Sequence, residues 1–141
     1  MTFKELDHEL PNGFHDAILH DLRIDYLRGS AVLRMELDFG DPDGPKPEDY
    51  RSGEVKVTGM CFCSIDPPSH DHPYVPDGYP LNVSGDPAKP DRFPAFEELS
   101  RTLPPGVLCY RFYVDEWNSF INIAAKDVQI SWVDEGTRAV E

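Results

Sequence analysis

Apolar and polar residues alternate over much of the chain, most clearly between residues 17 and 39. Ile18, His20, Leu22, Ile24 and Tyr26 fall on one side of the first half, with Asp21, Arg23 and Asp25 on the other. After Leu27-Arg28-Gly29-Ser30, the second half sets Ala31, Leu33, Met35, Leu37 and Phe39 against Arg34, Glu36 and Asp38. Side chains of a strand point alternately to its two faces, whereas apolar positions of a helix recur about every 3.6 residues. The pattern therefore predicts a half-buried β-hairpin.

Further along, residues 40–50 contain Pro42, Pro45 and Pro47, which lack backbone donors and exclude a central strand; a loop is expected. Gly53 to Ile65 reads as a third strand, with Val55 and Val57 on one face and Met60 and Phe62 implying a bulge or face switch near Gly59. Asp66 to Pro94 is dense in Pro, Asp, His and Tyr, and only Tyr79 to Val83 looks strand-like. A segment that long is expected to be a functional loop or a cover for a sheet edge. Phe96 and Leu99, with Glu97-Glu98 near the start, suit one short helix over Pro94 to Arg101, which Pro104-Pro105-Gly106 then separates from the last third of the chain. Leu108, Tyr110, Phe112 and Val114 alternate with Cys109, Arg111 and Tyr113. Beyond the turn Asp115-Glu116-Trp117-Asn118, a run with Phe120, Ile121 and Ile123 precedes a final strand marked by Val128, Ile130 and Trp132. The expected fold is mainly β, an antiparallel sandwich or partly open barrel of six to seven strands with at most one short helix, over residues 1–141 as a single domain.

Composition narrows the functional classes. With 40% hydrophobic residues the 141-residue chain can bury one core, and its 14 prolines and 10 glycines lie mostly between the apolar runs. Thirteen Lys and Arg against 26 Asp and Glu leave a net charge of −13, and no basic stripe offsets it, which disfavours nucleic acid. A basic protein partner or a metal ion stays compatible, and the charge also serves solubility. No apolar run approaches the ~20 residues of a membrane helix, and the N-terminus lacks the basic-then-apolar form of a signal peptide. A cytoplasmic protein with no membrane partner is expected. Cys61 and Cys63, two apart on one strand face, read as small buried hydrophobes rather than a disulfide or metal pair.

Familiar catalytic signatures are absent: there is no Gly-x-Ser-x-Gly elbow, phosphate-binding Gly-rich loop, His-Glu-x-x-His or Cys-x-x-Cys. Three polar groups remain. In Phe14-His15-Asp16-Ala17, followed by His20-Asp21, imidazole and carboxylate can bind a metal or transfer protons. His15 and His20, five apart, point to opposite faces of an extended strand, so a structural turn at Asp16 with a hydrogen-bonded His15 competes with any site. His70-Asp71-His72 in the long loop is a weak metal candidate that Asp66 and Asp77 would complete. Glu116-Trp117-Asn118 offers a large aromatic beside carboxylates, either as an anchor for a protein partner or packed back across the sheet end. No cofactor is implied.

The segment from Leu10 to Tyr26, opening Phe14-His15-Asp16-Ala17 before the alternating hairpin, resembles the start of a set of small bacterial β-rich proteins that includes immunity protein 50, with looser similarity over Asp115 to Ala125. The resemblance implies a small cytoplasmic protein that neutralises a toxin by binding it, with no catalytic residues to carry over. A net charge of −13 independently suits docking to a basic toxin. The leading expectation is thus a non-enzymatic binding protein using His15, Asp16, Glu116, Trp117 and Asn118. The alternatives are a small-molecule or metal-dependent domain with its site under residues 66–94, and a structural or homo-oligomeric subunit pairing through strand edges.

Overall fold

The hairpin forms where the alternation predicts it. In the computed structural model, which describes residues 1–69, 78–87 and 101–133, β1 (Ala17–Asp25) and β2 (Ser30–Asp38) run antiparallel, with Leu22 opposite Leu33 and Ile24 opposite Ala31. On β2 the phase is as read: Ala31, Leu33, Met35 and Leu37 are buried. On β1 it is not. Ala17 and Leu19 face the core ahead of a bulge between Leu19 and Asp21, and Leu22 joins them only after it, so Ile18 and His20 do not belong to that face. The extra residue of a bulge shifts the alternation by one position, which places His20 outside the core.

β3 (Tyr50–Ile65), β4 (Leu81–Pro87), β5 (Leu108–Val114) and β6 (Ser119–Trp132) complete an antiparallel sheet in the order β1-β2-β3-β6-β5-β4. It returns to β1 through the pairs Ala17–Val83, Ile18–Asn82 and Leu19–Leu81. The fold is mainly β with one short helix among the described residues, as expected, and the barrel is closed rather than a sandwich or partly open. Closure leaves none of the described strands with an entirely unpaired edge, the feature that most readily joins sheets of separate copies. Phe120 to Trp132, read as two runs, lie in one 14-residue strand, because β6 pairs with β5 over residues 119–125 and with β3 over residues 121–132. The face switch expected near Gly59 is a bulge between Met60 and Phe62 beside a left-handed Gly59 (φ +61°). Cys61 is the bulged residue and is exposed, contrary to its reading as a buried hydrophobe; Cys63 and Cys109 are half-buried.

A short helix lies at the N-terminus, where the pattern predicts none. α1 (Phe3–Glu9) starts at Thr2, whose hydroxyl accepts the Glu5 amide at 3.2 Å while the Glu5 carboxylate accepts the Thr2 amide at 3.0 Å. Its apolar face carries Phe3 and Leu6 into the core. Phe3 stacks on Tyr110 at 5.1 Å and meets Phe112 edge-on at 5.6 Å, and Phe14 meets Phe112 at 5.3 Å. These rings fill the barrel interior together with Leu33, Val55, Val57 and Ile123. The helix expected over 94–101 lies outside the described residues except for Arg101, as does most of the long segment 66–94.

Candidate functional site

The chain leaves α1 through a tight turn and reaches β1 at Asp16, which takes a left-handed backbone (φ +51°) that Asp tolerates better than most residues. Its amide donates to Ser84 Oγ on β4 at 3.3 Å, and its carbonyl accepts the Tyr50 hydroxyl of β3 at 3.2 Å. His15 Nδ1 lies 2.9 Å from Asp16 Oδ2, with both side chains largely exposed. His20 turns to a different partner, Glu36 Oε2 at 2.7 Å on β2. The two histidines thus have separate carboxylates.

The turn Asp115-Glu116-Trp117-Asn118 connects β5 to β6 and folds over the start of β4. Both Glu116 carboxylate oxygens accept the Asn82 amide, at 3.0 and 2.9 Å, and Oε1 also accepts Asn82 Nδ2 at 2.6 Å. The Asp115 amide donates to the Asn82 carbonyl at 2.9 Å. Asn118, the second non-glycine residue with positive φ among the described ones, accepts the Tyr113 hydroxyl at 2.8 Å. Trp117 packs against the core, and its carbonyl accepts the Ser69 amide at 2.8 Å. Of the two roles open to it, packing is the one observed.

Nothing in the sequence links these two turns, yet the barrel places them on either side of β4, which pairs with β1 at Asn82 and Val83 and with β5 at Val83. Burial, then the Glu116 and Asp16 carboxylates, push the Asp115 carboxyl above its ordinary value. Tyr50 is pushed up too, by burial and by the carboxylates of Asp38, Glu48, Asp16 and Glu36. Asp16 is felt on both sides, so the acidic groups form one continuous field.

Tyr50 also lines a cleft of about 550 Å³ where β3 begins and β6 ends. Trp132 and Phe39 meet edge-to-face at 5.0 Å, and the Arg51 guanidinium lies 4.4 Å over the Phe39 ring while Nη2 reaches Asp49 Oδ2 at 3.2 Å. None of these residues stands out in the sequence as a site. The available signal is Asp49-Tyr50-Arg51, an aromatic between opposite charges directly after the proline-rich loop.

Burial pushes the Cys109 thiol up to about 12 and raises Cys63 as well, so neither presents a thiolate near neutral pH. Among the described residues no three His, Cys, Asp or Glu side chains gather as a metal site requires. His70, Asp71, His72 and Asp77 lie outside those residues. Compared with protein-family models, with curated proteins and with solved structures, the chain finds no match.

Proposed function

We propose that this chain is a non-enzymatic binding protein that takes a basic protein partner on the acidic end of its barrel, in the manner of an immunity protein neutralising a basic toxin. The observation that carries the reading is that β4 pairs with β1 on one side and β5 on the other, which brings Asp16 and the Asp115-Glu116 turn to one end of the barrel, where the Glu116 and Asp16 carboxylates add to burial in raising the Asp115 carboxyl. Holding like charges together costs stability, and an opposite charge from a partner relieves that cost on docking. The net charge of −13 extends the attraction beyond the contact and accelerates encounter at low salt. Glu116 is held by Asn82 through three contacts, so this part of the surface is ordered before binding.

Capture at low ionic strength from a native lysate, with the partner identified and titrated against salt, tests the reading. A basic protein should be recovered, its affinity should fall steeply with salt, and Asp16→Asn with Asp115→Asn and Glu116→Gln should weaken it by about tenfold or more. Recovery of no basic protein, or equal binding by the neutralised triple variant, would refute the reading.

A further inference from the structure

We infer that the cleft where β3 begins and β6 ends is a site for a small planar anion, a ring bearing a carboxylate or a phosphate, with the ring laid against Trp132 and the anionic group held by Lys46 and Arg51. This goes beyond the reading of an acidic binding surface and does not depend on it.

Charge sets the cleft apart from the rest of the molecule. Lys46 and Arg51 line it against the single carboxylate of Asp49, whereas the chain as a whole carries 13 Lys and Arg against 26 Asp and Glu. Arg51 Nη2 meets Asp49 Oδ2 at 3.2 Å, a contact that steadies the guanidinium and uses only part of its fork of donors. The exposed Lys46 ammonium has no carboxylate partner among the described residues. An unpaired ammonium beside a partly used guanidinium suits an oxyanion. The carboxylates that act on Tyr50, those of Asp38, Glu48, Asp16 and Glu36, stand outside the lining, and Asp38 Oδ1 already accepts the Gly40 and Asp49 amides at 2.7 and 3.0 Å.

The opposite wall is aromatic. Trp132 pairs with Gly53 between β6 and β3, and a Cβ on Gly53 would lie 3.1 Å from indole Cε3, so the glycine lets the ring settle against the strand. Phe39 meets the indole edge-to-face at 5.0 Å, yet Trp132 remains 45% exposed. Uncovered indole takes a second ring by offset stacking or edge contact, while the negative face of an aromatic repels an anion, which directs the charged group of the guest toward Lys46 and Arg51. The loop that carries Lys46 is tied down as well. Its Lys46 carbonyl accepts the Asp41 amide at 2.9 Å, the Phe39 amide donates to the Asp49 carbonyl at 2.8 Å, and Asn12 Nδ2 donates to the Asp38 and Gly40 carbonyls at 2.9 and 2.8 Å. The cleft, at about 550 Å³, is of the size that small-molecule sites have, and walls ordered beforehand reduce the cost of binding.

The test titrates the full chain with 2-naphthoate, adenosine monophosphate, 2-naphthylmethylamine, acetate and inorganic phosphate, following affinity by calorimetry and the two indole N–H signals by NMR. The core-packed Trp117 serves as the reference for Trp132. At least one of the two ringed anions should bind and shift the Trp132 signal but not that of Trp117, and which of them binds more tightly assigns the anionic group as carboxylate or phosphate. The amine, with the same ring and the opposite charge, and the two ringless anions should bind at least tenfold more weakly. Trp132→Ala should lower the affinity of the ringed anion about five- to tenfold. Lys46→Glu, at an exposed loop side chain, should lower it at least as much and leaves the rings in place, so it decides the matter even where Trp132→Ala folds poorly. Equal binding of the amine, equal binding of acetate or phosphate, no effect of Lys46→Glu, or a Trp132 signal unmoved by either ringed anion would each overturn the inference.

Discussion

At the scale of single residues, the end of the barrel near Asp16 shows how a side chain's chemistry depends on neighbours remote in sequence. Asp115 lies in an exposed turn, yet burial, Glu116 and Asp16 raise its pKa. An acid whose pKa rises on folding binds its proton more tightly folded than unfolded, so stability declines as pH climbs from the ordinary aspartate value through the raised one. Asp115→Asn is therefore expected to raise the melting temperature at neutral pH and to make little difference in acid, where Asp115 is protonated in both states. Thermal melts of both proteins across that range check this, and a gap that does not close on acidification would contradict it. That Asp16 is a turn residue was legible in the sequence, because Asp tolerates the left-handed backbone; that it is also a neighbour of Asp115 was not.

Elements depend on close packing between backbones as well as on pattern. On β4, Gly85 donates its amide to the Phe14 carbonyl at 3.2 Å, and a Cβ there would come within 2.3 Å of the Tyr110 hydroxyl oxygen and 2.8 Å of Phe14 Cβ. Both groups belong to the aromatic cluster that joins α1 to the barrel, so the strand cannot yield without moving the core. Gly85→Ala should destabilise the protein by about 1–3 kcal/mol, the usual range for overpacking, in chemical denaturation. A loss of only a few tenths would mean that the cluster shifts freely. The same cluster explains why α1 is hard to see in the pattern: its seven residues give too short a periodic signal, and only Thr2 with Glu5, a reciprocal cap, marks it in the sequence.

At the scale of the whole molecule, charge is the dominant feature. The exposed ion pairs, such as Arg23–Asp21 and Arg51–Asp49, contribute little in water, whereas a net charge of −13 repels itself across the entire surface. Screening acts on the second effect more than on the first, with the Debye length falling from about 30 Å at 0.01 M to about 8 Å at 0.15 M salt. Raising sodium chloride over that interval is expected to raise the melting temperature by a few degrees, and a decrease would show that the pairs outweigh the repulsion. The same screening should weaken a basic partner, so stability and binding are expected to move in opposite directions with salt.

The alternation of side chains, the turns at Gly and Pro, and the acidic balance are local or additive properties. They were readable without coordinates: β2, β5 and the hairpin lie where the pattern put them. Closure of the barrel, the bulges that move His20 and Cys61 outward, the continuity of β6, and the placing of Asp115 within the electrostatic reach of Asp16 were decided only in the folded molecule. Each depends on which backbone groups pair between residues far apart in sequence, as Ala17 does with Val83. A strand's pleat specifies which side chains share a face, but not which strand will lie beside it.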